Sequence, residues 1–132
     1  MKNTYIIGEI GQNHNGSVDL AKLIIELISR PVHEDVFGMD FMPMNAVKMT
    51  KRDLSEELAV SQMNQIYDNP NSFGRTYGEH RAFLELDDQA HFEIYKYAKS
   101  LGLDFIETLC AKGCLCSVYV RFQDGSYAGS LL

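Results

Sequence analysis

Short apolar runs alternate along this chain with segments in which apolar residues recur every three or four positions. The runs at 5–10, 45–50 and 103–108 have the length and composition of buried parallel strands. The segments 17–30 and 88–101 have the spacing of amphipathic helices. The alternation therefore predicts β–α units and an α/β fold with a parallel sheet.

Both long helices have identifiable ends and an expected buried face. Ser17 is a good N-cap for the first helix and Pro31 ends it, while Asp87 caps the second and Gly102 fits the position after its last turn. We expect the first helix to bury a face formed by Leu20, Leu23, Ile24, Leu27 and Ile28. We expect the second helix to bury Phe92, Tyr95, Ala98 and Leu101.

The segments between these elements are long. Residues 31–44 have no period and predict a connection without regular structure, and 67–78 is a loop of turn residues whose length is typical of functional or disordered loops. Ser55 is placed to cap a short helix over 56–65, and another short helix is expected over 77–85. The predicted strands are thus joined by extended surface segments.

The chain changes character near its end. Val118, Val120 and Phe122 alternate with other residues, which favours a short strand. The rest of this segment is rich in glycine and serine, so we expect the tail to be mostly irregular.

Composition and charge exclude several classes of protein. The chain has 132 residues, enough for one modest domain, and a net charge of −6 with no basic stripe, so nucleic acid is not an expected partner. No apolar run approaches the roughly 20 residues of a membrane helix. A strand begins too close to the N-terminus for a signal peptide. Neither membrane association nor secretion is therefore expected.

Three cysteines, Cys110, Cys114 and Cys116, lie close together. An odd, clustered set does not form a disulfide framework, and the pair separated by one residue has the wrong spacing for a redox or zinc motif. Free thiols in a reducing cytoplasm are the expected state.

Two charged residues lie within predicted strands. Glu9 is near the carboxyl end of the first strand, where α/β folds place their ligand sites, and Lys48 lies between apolar residues of the second. A buried charge needs a partner, so Lys48 could pair with Glu9 or Glu107, or could bind an anionic ligand. The pair and the ligand site are compatible, because an empty site could hold the ion pair. Arg75 and Tyr77 could bind an anionic substrate or belong to a solvated loop.

The four histidines do not have metal-ligand spacing. His14, in the turn after Glu9, could be a ligand or a proton-transfer group, or its ring could hydrogen-bond its own turn. His33, His80 and His91 are expected on the surface or in loops. We therefore assign no metal ligand in this chain.

Four blocks of sequence resemble the sialic acid synthase family, the N-acetylneuraminate synthases and their relatives, in the same order. Residues 9–16, Glu-Ile-Gly-Gln-Asn-His-Asn-Gly, resemble the opening of these enzymes, and 45–49 resembles their second strand with its lysine. Residues 72–80 resemble the loop before their next helix, and 101–108 their third strand. The resemblance covers about 5–113.

This resemblance implies a fold. Residues 1–113 are expected to form the first three β/α units of a (β/α)8 TIM barrel, and 114–132 are a divergent, poorly ordered tail that departs from the family. A complete barrel needs about 250 residues, so these residues make up only part of one.

The resemblance also implies an activity, the condensation of phosphoenolpyruvate with N-acetylmannosamine or its 6-phosphate in sialic acid biosynthesis. A divalent metal, manganese or magnesium, is implied for full-length members, with ligands outside this chain, and so is a homodimer. Glu9 is implied as the catalytic residue, and the implied substrate-binding residues are Glu9, Asn13, His14, Lys48, Arg75 and Tyr77. We expect the chain alone to be inactive. The alternatives are a non-catalytic remnant, a binding module, or another phosphoenolpyruvate-using barrel enzyme.

Overall fold

The computed structural model of the chain describes residues 4–110 and, as backbone only, residues 117–121 and 127–131. Its elements in chain order are β1 (Ile7–Gly11), α1 (Val18–Ile28), β2 (Val32–Glu34), β3 (Met39–Phe41), β4 (Ala46–Arg52), α2 (Leu54–Glu57), α3 (Val60–Met63), α4 (Tyr77–Leu84), α5 (Asp88–Ser100), β5 (Asp104–Cys110), β6 (Ser117–Arg121) and β7 (Tyr127–Leu131).

The main sheet has the strand order β1-β4-β5-β6-β7. The pairs β1–β4 and β4–β5 are parallel, and the pairs β5–β6 and β6–β7 are antiparallel. The three strands expected from the apolar runs therefore exist and lie side by side, which confirms an α/β fold with a parallel sheet. Over the described residues this sheet is open, with β1 at one edge and β7 at the other.

The hydrophobic core lies between one face of the sheet and the helices α1 and α5. Val47 and Met49 of β4 have no exposed surface, and Phe105 of β5 is 5% exposed. They pack with Ile25 of α1 and Ile94 of α5. This layer fixes which face of each strand is turned away from the helices.

The predicted buried face of α1 is wrong in part. Leu23 and Leu27 are 49% and 51% exposed, whereas Ala21 and Ile25 are fully buried. Apolar residues occupy most of the circumference of α1, so spacing alone allows more than one face. The small side chain of Ala21 allows close packing in the core, and that packing selects the face.

The predicted N-caps of the two long helices and the glycine after the second are confirmed, whereas α1 ends at Ile28 rather than at residue 30. Ser17 accepts the N–H of Leu20 at 3.1 Å, and Asp87 accepts the N–H of Ala90 at 2.7 Å. Gly102, after α5, has φ +79°, the left-handed conformation that glycine adopts at little cost.

The buried face of α5 is shifted from the predicted one. Ala98 is buried as expected, but Phe92 is 49% exposed and Ile94 has no exposed surface. The prediction that His91 lies on the surface is wrong, because this residue is 6% exposed and its ring contacts Glu107 of β5. A polar partner on the neighbouring strand makes an inward position for the imidazole acceptable.

Two connections are more ordered than predicted. Within 31–44, β2 and β3 form a separate antiparallel hairpin. The single helix expected over 56–65 is two short helices, α2 and α3, and Asp53 rather than Ser55 provides the side-chain cap of α2.

The tail is also partly regular. The prediction of an irregular tail is wrong for 117–121 and 127–131, which extend the sheet as β6 and β7. The predicted alternation at Val118 and Val120 falls in β6, while Phe122, Cys114 and Cys116 lie outside the described residues. The boundary after residue 113, between the barrel-like part of the chain and the divergent tail, stays a prediction.

In the part of the chain that is described, no helix combines the length and apolar character needed to cross a lipid bilayer.

Candidate functional site

Glu9 and Lys48 form an ion pair between adjacent parallel strands. The two residues are direct neighbours in the register of β1 and β4, and Lys48 Nζ lies 2.6 Å from Glu9 Oε2. The side chain of Glu9 is 51% exposed and that of Lys48 is 29% exposed. Both charges are therefore partnered and also open to solvent from one side.

The pair lies on the face of the sheet away from the helices. Val47 and Met49, on either side of Lys48, belong to the helix-packed core, and successive side chains of a strand point to opposite faces. Of the two carboxylates that the sequence offered as partners of Lys48, the structure pairs it with Glu9. Their roles toward a substrate stay predictions.

A polar residue that the sequence analysis missed lies on this same face. Thr108 of β5 is in register with Thr50 of β4, two residues beyond the pairing of Lys48 with Ile106. Among the described residues, the buried Oγ1 of Thr108 has no hydrogen-bond partner. The sequence signal for Thr108 was a hydroxyl residue near the carboxyl end of an apolar strand. Its hydroxyl adds a hydrogen-bond donor and acceptor on the carboxyl side of Lys48.

The turn after β1 is held by its own backbone and side chains. The N–H of Gly16 donates to Nδ1 of His14 at 3.2 Å, and Nδ2 of Asn13 donates to the carbonyl oxygen of Ile10 at 2.9 Å. His14 is 1% exposed. Of the interpretations offered for His14, the geometry supports the one in which its ring bonds its own turn.

Burial lowers the pKa of His14, and the neighbouring His91 lowers it further. Both effects disfavour the charged ring. A neutral imidazole in this turn fits its role as a hydrogen-bond acceptor.

A second polar network connects this turn to α4 and β4. Oε1 of Gln12 accepts from Arg81 at 2.6 Å, and Nε2 of Gln12 donates to Oε1 of Glu85 at 2.8 Å. The other oxygen of Glu85 accepts the backbone N–H of Arg52 at 3.1 Å. Burial raises the pKa of Glu85, against the effect of the Arg52 N–H and nearby cations. The sequence analysis missed this network, because its members are far apart in the chain.

The sequence of this chain is similar to those of several synthases. The chain is 34% identical over 102 residues to an N-acetylneuraminate-9-phosphate synthase of Drosophila melanogaster, a match covering 76% of this chain and 24% of that protein. It is 33% identical over 101 residues to the human N-acetylneuraminate-9-phosphate synthase, covering 76% and 25%. The chain belongs to the sialic acid synthase family. It is also 33% identical over 108 residues to N,N'-diacetyllegionaminic acid synthase of Campylobacter jejuni, covering 82% and 29%.

The chain spans about a quarter of the length of the curated relatives that it matches. No family model matches the chain. Membership of the sialic acid synthase family therefore rests on the pairwise matches and on the order of the four sequence blocks.

Arg75 and Tyr77, two other substrate candidates from the sialic acid synthase resemblance, lie at the start of α4. The ring of Tyr77 packs edge-to-face on Tyr67 with centroids 5.5 Å apart, and Arg81 lies 5.7 Å from its centre. The backbone N–H of Arg75 donates to Oε2 of Glu79 at 2.7 Å, and its side chain is exposed. These contacts connect Tyr77 to its loop, and the substrate roles stay predictions.

Glu107 faces the helices rather than the Glu9–Lys48 side of the sheet. It is in register with Met49, a core residue, and contacts His91 of α5. In this member of the sialic acid synthase family, Glu107 therefore contacts His91 on the helix side and is not the partner of Lys48. Among the described residues, no group of three or more histidine, cysteine, aspartate or glutamate side chains could hold a metal ion.

Proposed function

We propose that this chain supplies the phosphoenolpyruvate- and sugar-binding start of a sialic acid synthase-type (β/α)8 barrel. The observation that carries the proposal is the Glu9–Lys48 ion pair across adjacent parallel strands, on the face away from the helices. Ligand sites of such barrels lie at the carboxyl ends of their strands.

The pair is suited to open when substrates arrive. An ion pair this exposed contributes only about 0–1 kcal/mol, so a strongly charged ligand can replace either partner. Lys48 is a compact cation that would bind the phosphate or carboxylate of phosphoenolpyruvate. Glu9, once released, would accept hydrogen bonds from hydroxyls of the acceptor sugar.

In the proposed reaction, C3 of phosphoenolpyruvate attacks the aldehyde of the open-chain amino sugar, N-acetylmannosamine or its 6-phosphate. Water adds to C2, and phosphate leaves. Lys48 and Glu9 act by holding the two reactants close together, which lowers the entropic part of the barrier. Homodimer formation and a cytoplasmic location belong to the same proposal.

The divalent metal implied by the family does not have a complete set of ligands among the described residues. Manganese or magnesium, with ligands from later strands of a full-length enzyme, stays part of the proposal. No step at Glu9 or Lys48 is derived through it.

A chimeric enzyme tests the proposal. The matching segment of the Drosophila relative is replaced by residues 5–110 of this chain, and phosphate release from phosphoenolpyruvate is followed with each acceptor sugar. Lys48→Met should raise the KM for phosphoenolpyruvate by roughly 10- to 100-fold, the effect of losing a charged hydrogen bond. Glu9→Gln should lower kcat/KM for the sugar by up to about 10²–10³-fold.

Lys96→Met is the matched control, because Lys96 is an exposed lysine of α5 that lies over the ring of Phe92. It should leave both constants unchanged. Equal effects at Lys48 and Lys96, or no effect at Lys48, would contradict the proposal. The isolated chain is the negative control, and its phosphate release should not exceed that of its Glu9→Ala variant.

A further inference from the structure

We propose that His14 is a proton-controlled positioning residue: its neutral ring holds the turn 11–16 in place, and protonation of the ring releases that turn. This role of His14 is independent of the proposed function, because the tautomer, the titration and the stability of the chain can each be measured without substrate.

The direction of one hydrogen bond carries the inference. The N–H of Gly16 donates to Nδ1 of His14 at 3.2 Å, so Nδ1 is an acceptor and the neutral ring must carry its hydrogen on Nε2. In the cationic ring both nitrogens carry hydrogen. Two N–H groups would then face each other in the turn, and the bond would be lost.

The surroundings of His14 offer little to stabilise a positive charge. The residue is 1% exposed, and the ionisable group that acts on it is the imidazole of His91, from α5, which is 6% exposed. Glu107 of β5 is in contact with His91. Arg81 of α4 and Glu85, the residue after α4, are both hydrogen-bonded to the side chain of Gln12 in the turn.

The turn that His14 holds connects several elements. The N–H of Ser17, the N-cap of α1, donates to the carbonyl oxygen of His14 at 2.8 Å. The turn begins two residues after Glu9, and Gln12 connects it to α4. Release of this turn would therefore loosen the start of α1 and the residues next to Glu9.

Through His14, the stability of the folded chain should fall as the pH decreases. The pKa of His14 is lowered from the ordinary 6.5 by burial and then by His91. A histidine whose folded-state pKa is lowered binds its proton more readily in the unfolded chain, so stability falls as the pH decreases. The loss begins as the pH drops below about 6.5 and is complete once the pH is below the lowered pKa of the folded state.

Histidine nitrogen NMR on the whole chain tests the geometry directly. We expect the Nε2–H tautomer of His14 at neutral pH, a pKa below 6.5, and a shift of the Gly16 amide signal that follows the same titration. An Nδ1–H tautomer, or a Gly16 amide that does not respond when His14 titrates, would overturn the inference.

His14→Asn supplies the matched variant, because the asparagine oxygen can accept the Gly16 N–H and does not titrate. The His14→Asn variant should fold at neutral pH. Its free energy of unfolding should fall less than that of the unaltered chain as the pH decreases. His14→Leu should be less stable at every pH. His33→Asn, at a residue with a 58% exposed side chain, is the control and should keep the acid response of Gly16.

An acid response of unfolding in His14→Asn equal to that of the unaltered chain would also overturn the inference. If His14→Asn fails to fold, the tautomer and titration of the unaltered chain decide the question.

Discussion

At the scale of single residues, two glycines separate two reasons for which a position can require glycine: a left-handed backbone and a lack of space for a Cβ. Gly16 and Gly102 have φ +72° and +79°, a region that costs other residues about 1–2 kcal/mol. A Cβ added to Gly16 would lie 2.3 Å from the carbonyl oxygen of Phe83, whereas a Cβ on Gly102 would have no neighbour within 4 Å. Only Gly16 is therefore required for both conformation and space.

We predict that Gly16→Ala destabilises the chain more than Gly102→Ala does. Gly102→Ala should cost about 1–2 kcal/mol, the strain of the left-handed conformation. Gly16→Ala should add roughly 1–3 kcal/mol for overpacking against a backbone atom that cannot easily move. Urea unfolding of both variants measures the difference, and equal losses would mean that the close approach at Gly16 relaxes freely.

The charged residues show what a sequence pattern can establish at this scale. Glu9 and Lys48 could be predicted to share a side, because strand alternation and the order of the strands determine it. Thr108, His91 and the Gln12 network could not be predicted, because their partners come from other elements. The position of His91 depends on Glu107, which is 16 residues away in the sequence.

At the scale of elements, the hairpin of β2 and β3 stands apart from the main sheet. Among the described residues its two strands pair with each other and not with the main sheet, and Nδ1 of His33 lies 2.7 Å from Oδ1 of Asp40 across the hairpin. The carboxylate of Glu34 accepts the backbone N–H groups of Val36 and Phe37 at 3.0 and 2.8 Å. The turn is thus held locally, while the side chains of Val36 and Phe37 are 81% and 79% exposed.

We predict that replacing 32–42 with a short glycine–serine linker leaves the parallel sheet intact and reduces aggregation. A two-stranded hairpin contributes little independent stability, and its exposed apolar tip favours association. Circular dichroism should give an unfolding midpoint within a few degrees of the original. A Val36→Ser/Phe37→Ser variant, which keeps the hairpin, should reduce aggregation similarly. Loss of cooperative unfolding after the replacement would mean that the hairpin supports the core.

Predictions about elements succeeded where the signal is local. The caps at Ser17, Asp87 and Gly102 were predictable because each acts within one turn of its helix. The buried face of α1 was not, because its apolar residues surround the helix and only packing against the sheet selects Ala21 over Leu23. The hairpin was missed because its strands have only three residues each, too short for a period to be visible.

At the scale of the whole molecule, apolar surface remains open on two sides. Tyr5, Ile6 and Ile7, at the edge formed by β1, are 42% to 51% exposed, and the solvent side of α1 carries Leu23 and Leu27. Edge strands and apolar faces of this kind favour association with other chains.

We predict that the isolated chain associates as its concentration rises, and that its unfolding departs from a sharp two-state transition once it associates. Sedimentation velocity over a concentration series measures the association, and a Leu23→Gln/Leu27→Gln variant should shift the distribution toward the monomer. Lys96→Gln changes a surface residue without removing an exposed leucine and is the control. A monodisperse monomer with a sharp two-state melt would contradict the prediction.

The sequence by itself determined the three parallel strands, the main helices, most of their ends, and the residues that place this chain in the sialic acid synthase family. These depend on short-range periodicity, on caps within one turn, and on contiguous motifs such as residues 9–16. Only the tertiary structure decided which faces are buried and which polar groups meet. The electrostatic effect of His91 on His14, the bonds of Gln12 to Arg81 and Glu85, and the open edge at β1 all depend on residues distant in sequence, which no local pattern encodes.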